Sequence, residues 1–311
     1  MKRSVVAAAV FGVGAACLSL AAQQPAALPP VRDIQQLRDN LYMISGGDTT
    51  DRATWTGGNS LVFVTERGVV LVDTMLPGAG QTLLARIRSI TDKPVTTVIN
   101  THTHYDHSGS NNELPATVEF VAHEGTRANM ARTTCEPVTN CGAFKGDNAK
   151  YLPKKTYADR LTLFGGKDRI ELYFFGRGHT SGDSFVVFPA VRAMHAGDMF
   201  PRAQMPFIDT ANSGGSAVEF NRTLQRAVAT IKDVEIVVGG HTPRAVTWAD
   251  FRTYTDFYQA FLTSAQAAMK AGTPVEAFVK SYAVPASFPG FVADPARVKA
   301  NAEAIWNESK P

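Results

Sequence analysis

The stretch VINTHTHYDHSGSN, residues Val98–Asn111, gathers three of the chain's seven histidines and an aspartate into the six positions from His102 to His107. Its first three residues close "VTTVIN", a β-branched run that reads as a buried strand. A polar loop after a strand is one reading of this stretch. Half of a metal site is the other. In extended backbone, residues two apart point the same way, so His102 and His104 can grip one ion from one side. The chain then turns at Tyr105, which lets Asp106 and His107 face a second ion. This spacing differs from the helical i, i+4 pair of HExxH, and it lacks the cysteines of structural zinc sites.

The rest of the chain repeats the pattern of an apolar strand ending in a polar residue. His179 follows "IELYFFG", Asp198 follows "VRAMHAG", and His241 follows "EIVVGG". Neighbouring strand ends in one sheet would aim these loops at one place. His123 in "FVAHE" reads either as a partner of the metal ligands or as a structural histidine, His195 in "RAMHAG" reads as structural, and Asp183 as the residue that fixes the turn after His179.

The totals suit a well-buried globular chain. Of 311 residues, 44% are hydrophobic and 19% charged, and the net charge of +3 is too mild to argue for a nucleic-acid partner. The first 21 residues have the layout of a secretory signal peptide: Lys2 and Arg3, then a short Ala/Gly-rich apolar run, then Ser19-Leu20-Ala21 before a cleavage at Ala22. Lipoprotein processing at Cys17 is disfavoured by Gly14, where such a signal wants a large aliphatic residue. The expectation is a periplasmic or secreted protein with no membrane span after cleavage. In an oxidising compartment Cys135 and Cys141 are expected to form a local disulfide.

Residues 22–40 read as a polar, proline-containing lead-in, and 41–311 as one domain ending in helices. "NSLVFVTERGVVLVDT" reads as a hairpin turning at Glu66-Arg67-Gly68, and "RLTLFGGKDRIELYFFG" as another. "GQTLLARIRSIT" and "GTRANMAR" read as helices, and a loop-rich insert spans about 133–155. Ser216 with Glu219, Thr247 with Asp250, Thr273 with Pro274 and Glu276, and Asp294 with Pro295 mark later helix starts. So many hairpins beside crossovers favour two mixed sheets, each covered by helices, over a doubly wound parallel sheet.

HxHxDH, followed in order by "GHTSGD", "AGD" and "GGHTP", resembles the metallo-β-lactamase-fold hydrolase superfamily, and the resemblance runs from about Gly57 to Pro243. It implies a four-layer αβ/βα sandwich with a two-metal cleft at one edge. Carried across by motif, His102, His104 and His179 would hold one ion, Asp106, His107 and His241 a second, and Asp198 would bridge. Two Zn2+ are implied, with iron or manganese as other metals this donor set accepts. A metal-bridging hydroxide would attack a carbonyl carbon, with Asp106 orienting it or moving its proton. His107 stands where one large group of true β-lactamases has Arg, and Asp198 where those enzymes have Cys. The full Asp and His set is closer to the glyoxalase II and lactonase-like branches, although glyoxalase II acts on a largely cytosolic glutathione thioester. The expected function is therefore an exported dinuclear zinc hydrolase of a small ester, lactone, thioester or β-lactam. The alternative is an oxidoreductase resembling the persulfide dioxygenases, which use one Fe(II) in the first site.

Three further stretches carry open readings. "WTGGNS", Trp55–Ser60, is either a substrate flap or a glycine turn. In "PFIDTANSGGS", Asp209 braces the site, meets a substrate group or starts a helix. Phe200, Met205 and Phe207 form either an apolar wall or core.

Overall fold

A computed structural model describes residues 28–309; the expected signal peptide, 1–21, lies outside them. Two mixed sheets stack face to face. The first comprises β1 (Ile34–Arg38), β2 (Leu41–Ile44), β3 (Ser60–Val64), β4 (Val69–Val72), β5 (Val95–Ile99), β6 (Glu119–His123) and β7 (Lys155–Tyr157), in that order. It is antiparallel from β1 to β4 and parallel from β4 to β7. The second comprises β8 (Arg160–Leu163), β9 (Ile170–Tyr173), β10 (Phe185–Phe188), β11 (Ala193–His195), β12 (Ile236–Val238) and β13 (Val246–Thr247) in spatial order 13-12-11-10-9-8. Only β11 and β12 pair in parallel there.

The apolar runs explain the layering. A strand sends alternate side chains to opposite faces, so a strand buried on both faces is apolar throughout. In β4, Val70 and Val72 enter the core between the sheets while Val69 and Leu71 enter the core on the outer face. In β10, Val186 and Phe188 point between the sheets and Phe185 and Val187 point outward. The outer face of the first sheet is covered by α1 (Gly80–Arg88), through Leu83 and Ile87, and by the insert through Phe144 and Tyr151. The outer face of the second sheet is covered by α4 (Ala217–Thr230), α5 (Trp248–Lys270) and α7 (Pro295–Glu308). Two short helices, α2 (Tyr105–Ser108) and α3 (Glu124–Met130), lie at the ends of β5 and β6, and α6 (Val275–Ser281) precedes α7. The expected four-layer αβ/βα sandwich is present.

Helix α5 repeats aromatics at helical spacing: Phe251, Tyr254, Tyr258 and Phe261 are fully buried. Burial of such a side chain contributes on the order of 1.5–3 kcal/mol, which seats the C-terminal helices firmly on the second sheet. The start of α5 is a full capping box between Thr247 and Asp250. At α4 only half of the expected box forms. Ser216 accepts from the Glu219 N–H, while the Glu219 carboxylate turns away to Arg177.

Local expectations need correction elsewhere. The lead-in is not wholly irregular, because Ile34–Arg38 pairs with β2 as an edge strand. The insert forms three short 3-10 segments between Pro137 and Tyr151, and β7 follows it. Thr273 caps nothing; Pro274 takes the cap position of α6 without a side-chain bond. Cys135 and Cys141 are joined by a disulfide, Cα atoms 5.6 Å apart. Among the described residues no helix is long and apolar enough to cross a membrane.

Candidate metal centre

Every expected ligand sits just beyond a strand end on one edge of the sandwich. His102, His104, Asp106 and His107 follow β5, with Tyr105–Ser108 wound into α2. His179 lies beyond β9, Asp198 in a single 3-10 turn after β11, and His241 after β12. The structure brings all seven together. Ligand atoms of His102, His104 and His179 lie within 4.8 Å of one another, as do those of Asp106, His107 and His241, and those of His102, His107 and Asp198. Asp198 touches both sides: Oδ2 lies 3.7 Å from His179 Nε2 and 3.3 Å from His241 Nε2, and Oδ1 lies 3.4 Å from His107 Nε2. His241 Nε2 is also 3.3 Å from Asp106 Oδ2.

The outward nitrogen of each of four rings is engaged, and this fixes which nitrogen faces the centre. His107 Nδ1 donates to Asp73 Oδ2 at 2.7 Å, and His179 Nδ1 to the Phe207 carbonyl at 2.7 Å. His104 Nε2 donates to Asp209 Oδ2 at 3.1 Å. His102 Nδ1 donates to Thr101 Oγ1 at 3.0 Å, and that hydroxyl donates on to Asp73 Oδ2 at 2.7 Å. Lone pairs are therefore left inward at His102 Nε2, His104 Nδ1 and His179 Nε2, while His107 Nε2 faces carboxylates: burial opposes charge on that ring, but Asp106, Asp198 and Asp73 outweigh it and raise its pKa well above the usual histidine range.

His104 Nδ1 and His179 Nε2 face each other at 2.8 Å, each with its other nitrogen already donating. Two lone pairs at that distance repel unless a cation lies with them. His102 Nε2 is buried without a hydrogen-bond partner, and Asp198 Oδ1 has only the 3.4 Å contact to His107 Nε2, which is not aligned as a hydrogen bond; an unpaired buried polar atom costs stability unless something pairs with it. The donors are imidazole and carboxylate, with no thiolate, and imidazole nitrogens are shared ligands of zinc, copper, iron and nickel. The residues fit a metal centre.

The protein's own electrostatics separate the two groups. Burial, reinforced by neighbouring imidazoles, holds His102 well below the usual histidine range and His179 at about 3, so both are neutral. Burial opposes charge on His241 too, but Asp198 and Asp106 outweigh it and raise it to about 9. Asp106 is brought to about 2 because His107 and His241 overcome its burial.

Close backbone packing makes room for the cluster. A Cβ on Gly58 would run into the His107 ring, and one on Gly240 into the Asp198 carboxylate. In the stretch Trp55–Ser60, Trp55 lines the cavity, and the residues after it form a packed glycine turn rather than a flap. Thr56, Asn59 and Ser60 are buried, Gly58 N donates to the Asp106 carbonyl at 2.7 Å, and Asn59 Nδ2 donates to the carbonyls of Gly239 and Thr242, both at 2.8 Å. Asp209 braces His104 and also accepts from Ser213 Oγ at 2.6 Å and Asn212 N at 2.9 Å. Phe200 and Met205 are core, whereas Phe207 lines the cavity.

His123 and His195 are structural. His123 Nδ1 accepts from Gly125 N at the start of α3, and Nε2 donates to the Ala158 carbonyl. His195 spans Gly197 N and the Asn59 carbonyl. Asp183 holds Thr180 through its N–H and hydroxyl, as the turn after His179 requires. Asp73 escaped the sequence reading, although it ends the apolar run "VVLVD" as the ligands end theirs. Arg52 and Arg297, which line the cavity, left no such signal.

A model of the metallo-beta-lactamase superfamily matches residues 53–241. The chain is 24% identical over 249 residues to a type 2 metallo-beta-lactamase of Elizabethkingia meningoseptica, covering 78% of this chain and 89% of that protein. The solved metallo-beta-lactamase from Pontibacter korlensis superposes with a TM-score of 0.58 at 21% identity, over 73% of this chain and 98% of that one. A stereoselective inverting sec-alkylsulfatase from Pseudomonas sp. superposes with a TM-score of 0.68 at 14% identity, over 89% of this chain and 50% of that one. The two superpositions show a shared fold. The family match takes in all seven clustered residues and ends before α5, α6 and α7.

Proposed function

The chain belongs to the metallo-beta-lactamase superfamily and is a metal-dependent hydrolase, and from that premise we propose an exported dinuclear zinc enzyme that cleaves a carbonyl ester, lactone, thioester or β-lactam. His102, His104 and His179 would hold one ion and Asp106, His107 and His241 the other, with Asp198 placed within reach of both groups. The observation that carries this reading is the pair of inward lone pairs on His104 and His179, 2.8 Å apart and each locked by a donor bond on the far side of its ring. The second group is as fully furnished as the first, which favours two ions over the single iron of a persulfide dioxygenase.

When bound, the ions supply Lewis-acid polarisation and a nucleophilic water at neutral pH. The chain's residues do the rest. Asp73, Asp209, Thr101 and the Phe207 carbonyl hold the imidazoles in one tautomer and orientation, which lowers the reorganisation needed on binding. Asp106 lines the cavity, with Oδ2 held against His241. Its other oxygen, Oδ1, would take the proton released by the attacking water and hand it to the leaving atom, which returns Asp106 to its carboxylate form. Trp55 and Phe207 supply apolar walls beside the reacting carbonyl.

Export is supported by the leader-like first 21 residues and by the Cys135–Cys141 disulfide. The test is a substrate panel: chelator-stripped and zinc-restored protein is assayed on a chromogenic β-lactam, a lactone, an aryl ester and a thioester. Zinc-dependent turnover of at least one is expected. Failure on all four sinks the carbonyl reading.

A further inference from the structure

The cavity over the metal centre, about 230 Å³, is lined by His104, Asp106, Asp198 and His241, and also by Arg52 and Arg297. Neither arginine lies in the segment that matches the family, 53–241. Arg297 comes from the first turn of α7, a helix seated on the second sheet by Val298, Ala302 and Ile305. Asn301, one turn further along, donates from Nδ2 to the Pro206 carbonyl at 2.9 Å. That bond ties α7 to the residue just before Phe207.

The tie sets the position of the guanidinium. Arg297 Cζ stands 4.7 Å from the centroid of the Phe207 ring. The same ring lies 6.0 Å from the His104 imidazole and 5.8 Å from that of His179. One aromatic ring thus separates the Arg297 charge from the first histidine group.

Among the described residues, no carboxylate lies within ion-pairing distance of Arg297. Asp294, on the same helix, spends one oxygen on the N–H groups of Ala296 and Arg297. Arg202, beside the cavity, shows the ordinary alternative, because it is paired to Asp48 at 3.2 Å. Burial pushes the Arg297 pKa below the usual arginine range. A half-buried cation without an ion-pair partner costs stability, and its five donors in a planar fork suit a two-oxygen anion. Trp55, nine-tenths buried on the same cavity, also keeps its indole N–H without a protein acceptor. Two divalent cations would offset the charge of Asp106 and Asp198, so these carboxylates would repel a docked anion less.

We propose that Arg297 is a specificity-determining residue and that the substrate carries an oxyanion group, carboxylate or sulfonate-like, which docks on the Arg297 guanidinium while the scissile carbonyl meets the metal centre. Arg52, stacked 4.7 Å over Trp55 at the exposed side of the cavity, provides a second positive charge for its approach. The proposal rests on the hydrolase reading above.

Three 4-nitrophenyl esters of one acyl chain, ending in a carboxylate, a sulfonate or a methyl ester, test it on zinc-loaded protein. At least one charged ester should exceed the neutral one in kcat/KM by tenfold or more, mainly through KM. The charged-to-neutral ratio should fall at least tenfold in Arg297→Ala and Arg297→Met, and partly recover in Arg297→Lys; the two charged arms tell which oxyanion fits. Calorimetric binding of benzoate and benzenesulfonate reads the same site without turnover and should weaken about tenfold in Arg297→Ala. A wild-type ratio near one overturns the proposal, as does an unchanged ratio with unchanged binding in Arg297→Ala and Arg297→Met. Arg297-dependent anion binding without turnover of any ester supports the arginine site and counts against the carbonyl chemistry, so the two failures are separable.

Discussion

Asp73 Oδ2 lies 2.7 Å from His107 Nδ1, and the same carboxylate reaches His102 through the Thr101 hydroxyl. One buried acid therefore orients an imidazole in each half of the metal centre. It does so from a left-handed backbone, φ 61°, at the end of β4. Replacing Asp73 with Asn removes one of two acceptor oxygens: Oδ2 takes Thr101 Oγ1 and His107 Nδ1, and Oδ1 takes Thr101 N. Loss of such an outer partner typically costs 10–100-fold in metal affinity or activity. Zinc titration of Asp73→Asn should show a loss of about that size, and wild-type affinity would refute the role.

Asp209 orients His104 in the same way, but it also serves Ser213 and Asn212. Asp209→Asn keeps a carbonyl that can accept from His104, whereas Asp209→Ala keeps nothing. The expected order of zinc affinity is wild type above Asn above Ala, with about 10–100-fold between the ends. Equal affinity for all three would show that the bond is incidental.

Gly58→Ala sets a methyl group against the His107 ring. The surrounding strands are close-packed, so the ring must shift. Zinc content and activity should fall together, with a thermal midpoint several degrees lower. Gly142→Ala meets nothing within 4 Å and should stay within about 0.5 kcal/mol of wild type. Similar behaviour of the two variants in thermal unfolding would contradict this contrast.

The Cys135–Cys141 ring is short, six residues apart in sequence, so its loss should cost about 2 kcal/mol at most. Its neighbours give the loop a second role: the Thr139 carbonyl accepts from Thr103 Oγ1 and Asn140 Nδ2 donates to the Ser108 carbonyl, on either side of the metal-binding turn. The Cys135→Ser, Cys141→Ser double variant should unfold a few degrees earlier and bind zinc more weakly. An unchanged midpoint in thermal unfolding would contradict the first expectation.

Much of this site is legible in the sequence because the chemistry sits at strand ends. Apolar runs such as "VTTVI" and "IVV" advertise buried strands, and although His123 and His195 close such runs in structural roles, the ordered set of His102, His104, Asp106, His107, His179, Asp198 and His241 beyond four of them points to one shared edge. The two-sheet layering follows from the same runs, since a strand apolar at every position must be covered on both faces. Short edge strands gave no such signal. "IQQLR" and "KTY" are half polar, because an edge strand pairs on one side only, and each is held by its neighbour in the sheet. Asp73 was hidden for a different reason. It lies far from the histidine motif in sequence and meets His107 only because β4 and β5 are adjacent. Arg297 is further still, brought in by the packing of a helix whose own pattern reports only its buried face.

The central claim is a two-ion hydrolytic centre built from both residue groups. Elemental analysis of purified, zinc-dialysed protein beside His102→Ala and His241→Ala tests it most directly. The account predicts two zinc ions per wild-type chain, fewer in each variant, and loss of hydrolysis with either loss of metal. A wild-type chain that retains no zinc, or a variant with full activity and reduced metal, would contradict it.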